Sequence, residues 1–235
     1  MAAIDATNTT GMTAGNNPNS MIYRPIGWND LDAVVELFDR TWPQDGELAG
    51  TESSLLISRY FVLHYLQPTT FANAAFTTDG TLAGVTFIRV AGERPQLDEI
   101  DVADEMAGIE RGLVAGSEVA KRLGMLKDAF SLELTLEKES RANETTLGEL
   151  ELFVVNPDVR GQGVGGGLWR RMQEHFAAWN VDAFYLHTDS DCDVSFYDHK
   201  GLERIAERDA GTPITEGGAP LFDDMFIYRG EVAGL

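Results

Sequence analysis

One stretch decides the fold: Glu149-Leu150-Glu151-Leu152-Phe153-Val154-Val155-Asn156-Pro157-Asp158-Val159-Arg160-Gly161-Gln162-Gly163-Val164-Gly165-Gly166-Gly167-Leu168. The β-branched and other apolar residues that run to Val155 predict a strand. Asn156-Pro157 ends this strand, because proline has no N–H for the ladder. Helical spacing follows the glycines, with apolar side chains at Val164, Leu168, Met172, Phe176 and Trp179. The stretch therefore predicts a strand, a glycine-rich loop and an amphipathic helix.

The glycine-rich loop has the properties of an anion site. A helix start leaves backbone N–H groups free and carries the positive end of the helix dipole. Glycine removes the side chains that would keep a bulky anion from those donors, and Arg160 adds a fixed positive charge. Phosphate is the commonest anion at such a place.

The loop departs from two known nucleotide-binding motifs. A triphosphate P-loop needs a lysine after the glycines, and none follows here. The dinucleotide fingerprint is literally present as Gly161-x-Gly163-x-x-Gly166. In that motif, however, the first glycine closely follows the strand, whereas residues 156–160 intervene here.

The stretch resembles the acetyl-CoA-binding signature of the GNAT acyltransferase superfamily: a strand ending in Val-x-Pro, then Arg-x-x-Gly-x-Gly opening a helix. A second segment, Phe196-Tyr197-x-x-x-Gly201-Leu202, resembles the GNAT segment Phe-Tyr-x-x-x-Gly-Phe. The resemblance implies that the strand offers its backbone to the pantetheine arm of CoA and that the loop amides hold the pyrophosphate. The cofactor-binding residues that it implies are Phe153, Val154, Val155, Arg160, Gly161, Gln162, Gly163, Val164, Gly165, Gly166 and Ser190.

The resemblance also implies a fold of the mixed α/β (α+β) class, with a central twisted sheet of about seven strands and flanking helices. Residues 21–235 are predicted to form one such domain, and residues 1–20, which are small and polar, a disordered tail. Residues 91–146 are an insertion relative to the core pattern. Within it, helical spacing runs from Leu97 to about Lys127, and the alternation of Phe130 to Glu137 favours a strand.

Other parts of the chain match this fold. A short strand at Met21–Pro25 precedes two helical stretches, which in the family often line the acceptor pocket. Asp79-Gly80 between two β-rich runs predicts a hairpin. Residues 183–187 predict a strand parallel to Leu150–Val155, with the helix as crossover, and in the family the pantetheine enters where these two strands splay apart.

The resemblance assigns chemistry to three side chains. A tyrosine at the position of Tyr197 acts as the general acid on the leaving thiolate, and a phenol with a pKa of ~10 stays protonated at neutral pH. Glu149 and Glu151 share one face of the strand and are candidates for the base that deprotonates the amine. The backbone N–H of Val155 or its neighbour is the expected oxyanion donor. His187, His199 and Cys192 are predicted to be incidental.

Composition limits the partners. The 235 residues include 18 basic and 38 acidic side chains, for a formal charge of −20. This charge argues against binding to nucleic acid or to an anionic membrane and is compatible with a cationic substrate. The single cysteine excludes an internal disulfide, and no Cys or His pair has metal-ligand spacing. We expect a cytoplasmic protein without a metal. The insertion is a candidate for part of the acceptor site or for the contact of a homodimer.

The predicted function is N-acetyl transfer from acetyl-CoA to a primary amine, by direct attack in a ternary complex. The acceptor is a small molecule or a peptide. Two alternatives stay open from the sequence: a non-catalytic CoA-binding sensor or interaction module, and a dinucleotide-binding oxidoreductase that uses the same glycines.

Overall fold

The computed structural model describes residues 21–211 and 223–233. Its strands are β1 (Ile22–Pro25), β2 (Phe71–Phe76), β3 (Leu82–Val90), β4 (Gly148–Val155), β5 (Ala183–Asp189), β6 (Glu203–Arg208) and β7 (Met225–Glu231). Its helices are α1 (Leu31–Thr41), α2 (Glu52–Leu66), α3 (Glu99–Gly112), α4 (Glu118–Ser140), α5 (Ala142–Thr145), α6 (Val164–Ala178) and α7 (Ser195–His199). The disordered tail predicted for residues 1–20 lies outside the described residues.

All seven strands form one mixed sheet in the order β1-β2-β3-β4-β5-β7-β6. Only β4 and β5 pair in parallel, and every other neighbouring pair is antiparallel. The predicted β2–β3 hairpin closes through Thr77 N–H, which donates to Thr81 O at 2.9 Å, with Gly80 at a φ of 89°. The predicted fold class is thus confirmed.

Helices cover both faces of the sheet. The apolar side chains of α1 and α2 pack on β2, β3 and β4, and α4 continues this layer over β5 and β7 through Leu132 and Leu136. On the opposite face, α6 contributes Met172 and Phe176 to a second cluster, which also includes Tyr197 of α7. The sheet thus separates an α1/α2/α4 face from an α6/α7 face.

The regular elements of the insertion are the helices α3, α4 and α5, so the strand predicted at Phe130–Glu137 is wrong. These residues lie in α4, which begins where Ser117 Oγ accepts from Ala120 N–H at 3.2 Å. Phe130 packs against α2 while Leu132 packs against the sheet. Because α4 packs on α2 at one side and on the sheet at another, its apolar residues from Phe130 to Leu136 occur at every second position, as they would in a strand. Leu134 belongs to this alternation but is 57% exposed.

Within the two described ranges, no helix combines the length and the apolar character that a membrane span requires.

Candidate functional site

The parallel strands β4 and β5 separate part-way along their length. They pair at Gly148↔Phe184, Glu149↔Tyr185 and Leu150↔Leu186. In contrast, β5 stays paired with β7 as far as Asp189. Among the described residues, the β5-facing edge of β4 has no strand partner beyond Leu150. An extended ligand can therefore use the backbone of residues 151–155 as a neighbouring strand would.

A β-bulge at Glu151 lies where this gap begins. The consecutive residues Phe87 and Ile88 of β3 pair with Leu152 and Leu150, so Glu151 is the extra residue in β4. A bulge bends its strand and increases the local twist. The bend accounts for the separation of β4 from β5 at this position.

The bulge also changes which side chains share a face. Leu152 and Val154 pack with α1 and α2, whereas Phe153 and Val155 contact the first turns of α6. Strict alternation would have placed Phe153 and Val155 on the same face as Glu149. The bulge therefore leaves the acidic side chains and the two gap-lining residues on opposite faces of the sheet.

The backbone of β4 presents alternate residues to the gap. Asn156 N–H donates to Ala83 O on β3 at 2.9 Å. Because the backbone groups of a strand alternate in direction, those of Val154 also face β3, and those of Phe153 and Val155 face the gap. The side chain of Val154 is 2% exposed in the core. Val155 N–H and Phe153 C=O are thus the groups that a ligand in the gap can reach.

The glycine-rich loop lies between β4 and α6. Gly161 and Gly163 each have a φ of 80°, a left-handed conformation that side chains disfavour, and α6 begins at Val164. The loop residues Arg160 and Gln162 are exposed. Free amides of a helix start lie beside an exposed arginine, an arrangement suited to an anion such as a pyrophosphate.

An arginine from α1 holds the base of this loop. The Arg40 guanidinium donates to Asn156 Oδ1, and its Nη1 donates to Asp158 Oδ2 at 3.1 Å. Asn156 itself donates to Leu82 O at 3.1 Å and accepts from Asp158 N–H at 2.9 Å. Asn156 is 4% exposed, so the loop is anchored in the core at its first residue. Sequence reasoning did not identify Arg40, since 116 residues separate it from Asn156.

Of the three consecutive glycines 165–167, Gly167 serves packing. A Cβ at Gly165 would lie 3.5 Å from Val155 Cγ2, an ordinary contact, but one at Gly167 would lie 2.0 Å from Tyr23 Oη. Gly167 therefore lets Tyr23 of β1 approach the helix, where Arg171 stacks on the tyrosine ring with its guanidinium carbon 4.0 Å from the ring centroid. Gly167 is absent from the predicted site and has this structural role.

Tyr197 lies on the α6/α7 face, with its ring centroid 5.7 Å from that of Tyr228. Burial raises its pKa above the ordinary value of 10.0, and the negative charges of Asp189 and Asp193 add to the shift. The phenol therefore stays protonated at neutral pH. Ser190, which follows β5, accepts from Asp224 N–H through its Oγ at 3.1 Å.

Glu149 lies on the α1/α2/α4 face as a fully engaged carboxylate. It accepts from the Arg89 guanidinium, from Tyr185 Oη at 2.7 Å, and pairs with His187 Nδ1 at 3.1 Å. Burial alone would raise its pKa, but the hydrogen bond and charge of His187 and the charge of Arg89 lower it to about 2. Glu149 is thus held ionised.

Glu151 shares Arg89 with Glu149 but is in a different state. Arg89 Nε donates to its Oε1 at 3.0 Å. Burial raises the pKa of Glu151 well above its usual range, the negative charge of Glu149 raises it further, and Arg89 opposes both. The prediction that both glutamates share a face is confirmed by this common partner. Glu151 lies where the gap begins, and its raised pKa means that it binds a proton more readily than an ordinary glutamate does.

The elements that form the gap lie in a segment that matches a known protein family. Residues 125–201 match the acetyltransferase (GNAT) family. This part of the chain is similar to the GNAT family. The segment that matches includes β4, the glycine-rich loop, α6, β5 and α7, which are the elements that form the gap.

Solved structures show the same GNAT fold. An arylalkylamine N-acetyltransferase-like protein 5b from mosquito superposes with a TM-score of 0.58 at 17% identity, covering 90% of this chain and 100% of that one. The Drosophila melanogaster polyamine N-acetyltransferase gives 0.57 at 12%, with coverage of 90% and 100%. The Escherichia coli ribosomal-protein-S18-alanine N-acetyltransferase gives 0.50 at 12%, with coverage of 92% and 96%. No protein of curated function matches the chain significantly in sequence.

Sequence reasoning missed several residues that lie near Glu149 and Glu151. His187 is not incidental: its Nδ1 pairs with Glu149, and its Nε2 lies 3.2 Å from Glu133 O of α4. Burial would lower its pKa, but the hydrogen bond to Glu149 and the nearby carboxylates raise it to about 9. Tyr65 of α2 donates to Glu133 Oε1 at 2.6 Å. No local signal in the sequence marks these residues, because they come from α2, α4 and β5.

Proposed function

We propose that this protein transfers an acetyl group from acetyl-CoA to a primary amine by direct attack in a ternary complex. The observation that carries the proposal is the gap between β4 and β5, which begins at Glu151 and ends at the glycine-rich loop. We place Tyr197, which lies on the α6/α7 face, on one side of the bound thioester and Glu151 on the other. The sheet separates a donor face, with α6 and α7, from an acceptor face, with α1, α2 and α4. A thioester in the gap would be open to attack from the acceptor face.

We propose that CoA lies along the gap between β4 and β5. In the proposed complex, the amides of Gly161, Gly163, Val164, Gly165 and Gly166, with Arg160 and Gln162, hold the pyrophosphate. Phe153 C=O and Val155 N–H bond the pantetheine arm, and Val154 positions both of them through its pairing with β3. Ser190 borders the arm at the end of β5. The loop amides and Arg160 supply a local positive potential. This potential is needed because the protein carries a net charge of −20 and CoA is an anion.

The proposed chemistry divides between the two faces. Glu151 takes a proton from the substrate ammonium, and the free amine attacks the thioester carbonyl carbon. Val155 N–H stabilises the oxyanion of the tetrahedral intermediate. The C–S bond then breaks, the Tyr197 hydroxyl gives its proton to the thiolate, and solvent reprotonates Tyr197. The products are the N-acetyl amine and CoA.

We assign the base to Glu151 and a positioning role to Glu149. Three neighbouring side chains already occupy the Glu149 carboxylate, and its lowered pKa makes it a poor proton acceptor. Glu151 has one side-chain partner among the described residues and lies at the gap. Glu149 and Arg89 fix the orientation of the Glu151 carboxylate.

Calorimetric titration with acetyl-CoA, with NADH as the comparison, tests the proposal. We expect saturable acetyl-CoA binding that weakens by roughly tenfold or more in Arg160→Ala, since a charged contact to phosphate is lost. Arg170→Ala is the matched control, because Arg170 is also exposed but lies two turns into α6 and pairs with Glu174. Binding of NADH in place of acetyl-CoA would contradict the proposal. Release of free thiol on addition of an amine would separate the enzyme from a CoA-binding module.

A further inference from the structure

We propose that Arg204 of β6, acting through Tyr228 of β7, stabilises the phenolate that forms when Tyr197 gives its proton to the leaving thiolate. This inference rests on the proposed function, because it assigns a positioning role in the same reaction. It goes further by giving the edge strand β6 a part in the chemistry. Arg204 and Tyr228 both lie outside residues 125–201, the segment that matches the family.

The surroundings of Tyr197 oppose the loss of its proton. Burial raises the pKa of Tyr197, and negative charge on Cys192, Asp189 and Asp193 raises it further. The thiol of CoA is an aliphatic thiol, a class whose pKa lies near about 8.5 in cysteine. Proton transfer from such a phenol to such a thiolate is therefore unfavourable, unless another group stabilises the phenolate that forms.

Arg204 and Tyr228 form a well-defined pair on the donor face. The Arg204 guanidinium donates to Tyr228 Oη from Nε at 3.1 Å and from Nη2 at 2.7 Å. Its carbon lies 3.9 Å from the centroid of the Phe226 ring, a cation–π contact that holds the guanidinium in place. Tyr228 is 1% exposed. Two hydrogen bonds thus direct the positive charge of Arg204 at a buried phenol.

The Tyr228 hydroxyl can transmit this charge to Tyr197. A phenol has one O–H proton and two lone pairs, and the two N–H groups of Arg204 occupy the lone pairs. In the described part of the chain, neither the Tyr228 proton nor the Tyr197 hydroxyl makes any further hydrogen bond. The two rings are neighbours, with centroids 5.7 Å apart. An O–H group polarised by a cation is a strong donor, suited to a phenolate on the neighbouring ring.

The partners of Arg204 are unusual in so acidic a chain. The sequence has 38 acidic and 18 basic side chains, so carboxylate partners are abundant. Arg204, however, contacts Glu207 Oε2 only at 3.4 Å, and the Glu207 side chain is 61% exposed, so this ion pair contributes little. Arg208 of the same strand pairs instead with Glu139 of α4 at 3.0 Å, on the opposite face of the sheet. The main partner of Arg204 is a neutral phenol, as expected of a cation that acts on a transient negative charge.

The other charged side chains at α7 are engaged elsewhere. The Lys200 ammonium lies 5.3 Å from the ring centroid of Trp169 and 5.4 Å from that of Phe196. His199 Nδ1 lies 2.7 Å from Ser195 O, and the residue is exposed. Arg204 is therefore the cation whose contacts lead to Tyr197.

A double-mutant cycle tests the coupling between Arg204 and Tyr197. With saturating acetyl-CoA and amine, Arg204→Met should lower kcat by about tenfold and leave acetyl-CoA affinity unchanged, because a charge-assisted contact to the phenolate is lost. In a Tyr197→Phe background the same substitution should cause no further loss, since no phenolate can form there. Arg204→Lys should recover part of kcat. Arg208→Met is the matched control and should keep full kcat.

A measurement without turnover separates this inference from the proposed function. Replacing tyrosine by fluorotyrosine lowers the pKa of every phenol, so that fluorine NMR can follow each ionisation, with Tyr197→Phe identifying one signal. Arg204→Met should raise the pKa of Tyr197 by about one pH unit, whereas Arg208→Met should not change it.

Two results would overturn the inference. One is an unchanged pKa of Tyr197 in Arg204→Met, and the other is an additive loss of kcat in the double mutant, which would indicate a structural role. Both results would leave the acetyltransferase function intact. If the pKa of Tyr197 rises as expected but no amine is acetylated, the coupling of Arg204 to Tyr197 stands and the proposed function fails by itself.

Discussion

At the scale of single residues, the proposal depends most on the Tyr197 hydroxyl. Tyr197→Phe removes one oxygen and keeps the ring that packs beside Tyr228. We expect kcat to fall by roughly 10²-fold or more, the usual contribution of a general acid, with acetyl-CoA affinity nearly unchanged. Tyr60→Phe is the control, because the Tyr60 hydroxyl bonds Glu110 and not a group at the gap. A Tyr197→Phe protein with full kcat would exclude this role.

Glu151 should set the pH dependence of the reaction. A base is active when deprotonated, so kcat/KM should rise with pH through the pKa of Glu151, which burial and Glu149 place above the usual range of a glutamate. Glu151→Gln should remove this rise and lower kcat by about 10²-fold. If Glu149→Gln removes the rise while Glu151→Gln keeps it, the two roles are reversed. Rates between pH 5 and 9 decide between them.

At the scale of elements, Arg40 connects α1 to the loop that is proposed to hold the pyrophosphate. Arg40→Ala removes the guanidinium that bonds both Asn156 and Asp158, so the loop should lose order and acetyl-CoA affinity should fall by a few-fold to tenfold. Arg40→Lys should recover part of this affinity, since it restores the charge but not the two-pronged geometry. Arg24→Ala is the control, because Arg24 pairs with Asp30, away from the loop. Unchanged acetyl-CoA affinity in Arg40→Ala would exclude the coupling.

Elements with a local signal could be predicted from the sequence. The strand, loop and helix of residues 149–168 and the β2–β3 hairpin depend on neighbouring residues, and they are confirmed. The bulge at Glu151 could not be predicted, because it is a mismatch between two strands 60 residues apart. The strand predicted at Phe130–Glu137 failed because α4 packs on two sides. The contacts of Glu149 with Arg89 and His187 form only when β3, β4 and β5 pair in the folded sheet. The sequence could therefore indicate the two glutamates of this cluster, but not the arginine and the histidine that bind Glu149.

At the scale of the whole molecule, the buried charges around Glu149 link folding to pH. His187 has a folded-state pKa of about 9, above its ordinary value of 6.5. A raised pKa adds stability that is fully present below pH 6.5 and is lost as the pH rises through about 9. Glu149, with a folded-state pKa of about 2, adds stability that is present above its ordinary value of 4.5 and is lost as the pH falls through about 2.

The free energy of unfolding should therefore decrease between pH 6.5 and 9 by an amount on the order of 3 kcal/mol that His187 contributes. Glu133 and Glu151 have raised pKa values as well, which gives the same sign but begins near the ordinary glutamate value of 4.5. Denaturant titrations of the protein and of His187→Gln at several pH values separate the contribution of His187 from that of the two glutamates. The variant should be less stable at pH 6 and should have a flatter profile above pH 6.5. A parallel profile would mean that His187 is neutral in the folded protein and that other groups compensate the charge of Glu149.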